Sequence, residues 1–197
     1  MFRRGGYQEQ GYYSPGGFWE ALREVWFAPG RFFKRLDPEG GPIRPTIFAS
    51  IVLYLNLLLD AALQAVWLME FNYGLIYALF VGLVVSVVLA PLLLAGLAAL
   101  VLVILDGAPS RRNFGPAYRA LGYASGIGFA CWIPYGPLLA IPYGAIVATI
   151  AIKETLNTGW NRAAAATLIP LGAVLLILLL LTGPSESYDL LVNMPGA

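Results

Sequence analysis

The chain has 197 residues, 59% of them hydrophobic and only 12% charged, with twelve Lys and Arg, eleven Asp and Glu, and no histidine. A soluble domain usually carries about 25% charged residues, so this composition excludes an ordinary soluble fold and points to one polytopic membrane domain with little mass outside the bilayer. A net charge of +1 supplies no field for nucleic acid, and the lack of histidine removes the commonest general base and metal ligand.

Residues 1–17 are rich in Gly, Tyr and Gln and lack a core pattern, which predicts a flexible tail. The first 44 residues contain no apolar stretch of signal-peptide type, so the first span is expected to act as an uncleaved insertion signal. Within 18–44, Phe18, Trp19, Leu22, Val25 and Trp26 recur at helical spacing opposite Glu20, Arg23 and Glu24. Pro29 interrupts this piece. A second follows, with Phe32, Phe33 and Leu36 opposed by Arg31, Lys34 and Arg35, and it breaks at Asp37-Pro38 and Gly40-Gly41-Pro42. Two compatible readings exist for this cytoplasmic segment. It lies flat as an amphipathic helix on the membrane surface, through Phe18, Trp19, Trp26, Arg31, Phe32, Phe33, Lys34 and Arg35, or it packs on the cytoplasmic ends of the spans.

Five apolar runs then predict spans at about 45–68, 75–105, 117–133, 138–153 and 163–182, leaving 183–197 as an outer tail. The fold class expected is an all-α membrane bundle. The second run, about 46 Å long as one straight helix, exceeds a hydrocarbon core of about 30 Å and is expected to tilt, to kink at Pro91 or to project into the cytoplasm. The six polar pieces hold seven, none, three, none, two and none of the basic residues. Lys and Arg accumulate on the cytoplasmic side, so the N-terminus is expected inside and the C-terminus outside.

Two patterns lie within the spans. Asn56, Asp60 and Gln64 are spaced by four and share one helix face in the first span. A carboxylate at that depth costs roughly 2.5 kcal/mol or more. It reads either as a proton or cation site or polar contact between helices, or as a structural acid near the outer interface. Small residues form the second pattern: Gly82 and Ser86 in the second span, Gly122, Gly126 and Gly128 in the third, and Ala140, Gly144 and Ala148 in the fourth. Such stripes let helix backbones approach closely. The single cysteine, Cys131, reads as a small buried hydrophobe. No Ser-His pair, intramembrane acid pair or phosphate-binding loop is present, so neither catalysis nor a cofactor nor a bound metal is expected.

The order of elements carries a resemblance. The "PGRFF" element (Pro29 to Phe33) precedes the spans. "FGPAYRALGYASG" (Phe114 to Gly126), "IPYGPLLAIPYG" (Ile133 to Gly144) and "IKETLNTGWNRAAAATLIP" (Ile152 to Pro170) follow. Over about residues 25–182 the chain resembles a prokaryotic member of the YIP family, the Ypt/Rab-interacting membrane proteins. The resemblance implies five spans and a cytoplasmic N-terminus. Eukaryotic members bind small GTPases and partner membrane proteins and shape curved membranes. The short N-terminal segment here lacks their acidic-aromatic "D-L-Y-G-P" element, so small-GTPase binding is not carried over. The function expected is a non-enzymatic scaffold in a bacterial plasma membrane, with lipid, other membrane proteins or further copies of itself as partners. The alternative is a small transporter or channel using Asp60.

Overall fold

The structure is a computed structural model that describes residues 16–37, 39–67, 73–108, 111–173, 176 and 180. The expected tails at 1–17 and 183–197 and the outer end of the fifth span fall wholly or largely outside the described residues, as does the first outer turn. Every regular element described is helical: α1 (Phe18–Phe27), α2 (Pro29–Arg35), α3 (Ile43–Trp67), α4 (Tyr73–Asp106), α5 (Arg111–Ala124), a 3-10 segment (Ser125–Ala130) and α6 (Gly136–Leu156). A seventh helix, α7, covers 160–173. Among the described residues, α3, α4 and α6 are long and apolar enough to cross a membrane.

Local chemistry sets the boundaries. Pro29 opens α2 at its first position, where its missing N–H costs nothing and its fixed φ suits a helix. Pro45 sits in the first turn of α3 for the same reason. The chain leaves α6 through Asn157, a left-handed residue at φ 49°, while Thr158 N–H reaches back to the Lys153 carbonyl. Asn tolerates that conformation better than most side chains. Pro91 stands inside α4, which the structure draws as one helix.

The expected third span differs from an unbroken α-helix over 117–133. It starts earlier, at Arg111, and after Ala124 winds more tightly as a 3-10 segment. Ser125 Oγ donates to the Gly122 carbonyl at 2.7 Å, and Gly126 and Gly128 follow, which weakens the α-helical preference there. The α5 helix and its 3-10 extension together are about 33 Å long by their rises. They climb alongside α3.

At the foot, Tyr118 OH and Thr46 Oγ1 share a 2.6 Å hydrogen bond. One turn on, Gly122 meets Pro45, and then Gly126 meets Phe48. A β-carbon on Gly122 would stand 2.7 Å from Pro45 Cβ and 3.2 Å from its carbonyl oxygen. On Gly126 it would stand 2.9 Å from the Phe48 ring. Neither position has room for a β-carbon, so the two backbones lie close together there. Gly82 faces Leu57 across α3 and α4 at ordinary contact distance, Gly144 faces Ile127, and Ser86 is fully buried with its hydroxyl on the Gly82 carbonyl. Ala140 and Ala148 pack in the same apolar cluster as Ile127. Gly128 departs from the pattern. Nothing lies within 4 Å of its would-be β-carbon, because the 3-10 winding turns it away from a neighbouring backbone.

Residues 117–124 of α5 are buried without exception. One side, Ala120, Tyr123 and Ala124, packs with α1, α2, α3 and α6. The other, Ala117, Tyr118 and Leu121, packs with α4, α6 and the start of α7. Basic residues brace the surrounding ends. The Arg119 guanidinium donates to the Gly40 carbonyl, and that of Arg162 to the Leu105 carbonyl at the C-terminal end of α4, with Asp106 3.9 Å away. A cation there complements the helix dipole.

Overpacking a filled interface costs about 1–3 kcal/mol. Gly122→Val is expected to lower stability by about that amount. Gly96→Ala, whose β-carbon would enter open space, is expected to gain up to about 1 kcal/mol from helix propensity. Thermal unfolding in detergent, followed by circular dichroism, separates the two. Equal midpoints for both variants would show that α3 and α5 do not approach this closely.

Candidate functional site

The residues singled out for the membrane surface divide in two. Phe32 and Phe33 are 0% and 1% exposed, which corrects their assignment to the lipid surface: protein covers their rings. Phe32 meets Tyr123 at 5.2 Å between ring centroids, Tyr123 meets Phe48 at 5.3 Å, Phe48 meets Phe18 at 5.2 Å, and Trp19 meets Phe129 at 6.0 Å. Such pairs each add about 0.5–1.5 kcal/mol beyond burial. Trp26 is tied down twice. Its indole N–H donates to the Gly126 carbonyl at 2.9 Å, and its own carbonyl accepts from Tyr143 OH. Trp19, Phe27, Arg31, Lys34 and Arg35 remain exposed, with Arg35 paired to Glu24 at 3.3 Å.

The polar face of α3 borders a groove of about 420 Å³, within the range of small-ligand sites. Val52, Leu53, Leu57 and the α4 residues Ala90, Leu93 and Leu94 make it mostly apolar. Asn56, Asp60, Ser125 and Trp132 bring the polar groups. Asn56 donates its amide to the Val52 carbonyl at 2.9 Å, which turns Oδ1 away from its own helix backbone. That oxygen is buried without a hydrogen-bond partner among the described residues, and so is Trp132 Nε1. Asp60 accepts from Gln64 Nε2 at 2.9 Å and pairs with no cation among the described residues. The structure thus brings Asn56 and Asp60 to one groove and leaves Gln64 outside its lining, steadying Asp60 from the next turn.

Sequence reasoning missed Trp132, Ser125 and the role of Gly128. Their shared wall exists only because the 3-10 segment runs beside α3. The one signal in the sequence was Trp132 four residues beyond Gly128, in a span otherwise rich in small residues. The described residues contain no group of three or more His, Cys, Asp or Glu placed to hold a metal ion.

A chain whose described elements are all helical, with apolar helices of membrane-crossing length, small residues at its closest contacts and cations at the helix ends, is a polytopic membrane protein. The Yip1 domain family model matches residues 23–182, and the chain belongs to that family. No curated protein and no solved structure matches it.

The two indoles differ in a testable way. Trp26→Phe removes a made hydrogen bond and is expected to cost about 0.5–1.5 kcal/mol. Trp132→Phe removes a donor that bonds nothing among the described residues, and is expected to leave stability unchanged or raised. Denaturation of both variants in lipid-free detergent reads the difference, and a larger loss for Trp132→Phe would contradict the placement of the two rings.

Proposed function

We propose that the protein is a non-enzymatic scaffold that organises membrane proteins or lipid in a bacterial plasma membrane, crossing it five times with the N-terminus in the cytoplasm and the C-terminus outside. The observation that carries this reading is the surface of α4. Its first half presents Phe80, Leu83, Val84, Val87 and Val88 outward, while Ala78, Gly82, Ser86 and Ala90 are buried. A helix with one narrow packed stripe and a broad free apolar face offers that face to lipid, to another membrane protein or to a second copy.

Two further features support it. Exposed Arg31, Lys34 and Arg35 lie beside exposed Phe27, a combination suited to an anionic membrane surface, where each cation contributes about 1 kcal/mol. The third segment runs beside α3 from Tyr118, paired with Thr46 at the foot of α3, up through the 3-10 segment, which suits a third crossing. The start of α7 at residue 160 suits a fifth.

Affinity capture from native membranes in mild detergent, with light scattering on the eluate, is expected to give stable self-association or co-purifying membrane proteins. A monodisperse monomer that elutes alone and leaves liposome shape unchanged would end the scaffold reading. For topology, in a Cys131→Ala background, Arg111→Cys is expected to label from the cytoplasmic side and Ser185→Cys from the outside. Labelling of both from one side would contradict five crossings.

A further inference from the structure

The geometry points to a binding site for an amine-bearing phospholipid in the groove between α3, α4 and the chain around Trp132. The groove has an unusual set of unmet needs. It contains a carboxylate, Asp60, with no cation opposite it among the described residues. Among the described residues, one turn below, Asn56 Oδ1 is a buried acceptor without a donor, and across the groove Trp132 Nε1 is a buried donor without an acceptor. Buried polar atoms in native proteins are nearly always paired, and leaving one unmet costs about 1–3 kcal/mol.

A primary ammonium answers the first two needs together. It carries three N–H donors and a positive charge, and Asp60 and Asn56 lie on one helix face a turn apart. A phosphate or ester oxygen on the same molecule answers the third by accepting from the indole. The remaining wall, Leu53, Leu57, Leu93 and Leu94, is what an acyl chain requires.

Depth agrees with chemistry. Asp60 lies about 24 Å along α3 from Arg44, close to the far edge of a core about 30 Å thick, where glycerol and headgroup begin. A choline head carries the charge but lacks N–H donors, and a glycerol head lacks the charge. Recognition is therefore selective among lipids of the same chain length. The inference stands apart from the scaffold reading, since a site of this kind requires only that the protein is membrane-embedded.

The test uses the full chain, delipidated in detergent and titrated at neutral pH with phosphatidylethanolamine, phosphatidylcholine or phosphatidylglycerol of identical chains. Native mass spectrometry counts bound lipid. Phosphatidylethanolamine is expected to be retained in preference to the other two. Asp60→Asn is expected to weaken retention about tenfold, the loss of one charged hydrogen bond. Gly128→Leu provides a second arm should Asp60→Asn fail to fold. A side chain there enters open space in the groove wall, so this variant is expected to fold and to lose the lipid. Equal retention of all three lipids, or retention of phosphatidylethanolamine unchanged in Gly128→Leu, would overturn the proposal and assign the polar atoms to water. Free phosphoethanolamine competing as well as the lipid at equal concentration would also overturn it, by showing that the acyl chain contributes nothing.

Discussion

The absence of two β-carbons governs this fold. At Gly122 and Gly126 the backbone of the third hydrophobic segment lies against Pro45 and Phe48 of α3, closer than any side chain would allow. Lipid provides no hydrophobic drive between helices, so van der Waals contact at such points does the work of association. The close approach also exposes the Gly126 carbonyl to the Trp26 indole and brings Tyr123 between Phe32 and Phe48. The N-terminal helices are thereby part of the bundle. Ala21 and Val25 on α1 and Phe32 on α2 are 0% exposed, which requires a fixed partner surface.

From that contact the rest follows outward. With α5 pinned to α3, its two sides are free to seed two apolar clusters, one with α1, α2 and α6 and the other with α4, α6 and α7. Arg119 is buried on this central helix and survives there because its guanidinium holds the Gly40 carbonyl. The 3-10 winding after Ala124 carries Gly128 and Trp132 to the polar face of α3 and so creates the groove.

Much of this was legible in the sequence, and the reasons are physical. Hydropathy over a window long enough to cross a bilayer located α3, α4 and α6 within a few residues, because lipid forces all backbone bonds to be internal and the side chains to be apolar. Pro29 divided α1 from α2 as read, since a proline is best tolerated in the first turn of a helix. Gly122 and Gly126, four apart, both lie against α3 with no room for a side chain. The fate of Phe32 and Phe33 was not legible. An aromatic face opposed by cations shows which side avoids water, and both a lipid surface and a protein surface satisfy it. The start of the third segment was hidden because Arg111, Arg112 and Asn113 read as loop while belonging to a helix. Trp132 and Asn56 meet through tertiary geometry alone, which no periodicity encodes.

Packing on α3 and α6 builds α1 and α2 into the membrane domain, and hydrogen–deuterium exchange in lipid nanodiscs tests that most directly. Amides from Ala21 to Trp26 are expected to exchange nearly as slowly as those of Ala117 to Tyr123, because Ala21, Leu22 and Val25 rest on the same buried cluster as Ala120 and Tyr123. Exchange over Ala21 to Trp26 at the rate of an unstructured peptide, with Ala117 to Tyr123 still protected, would contradict it.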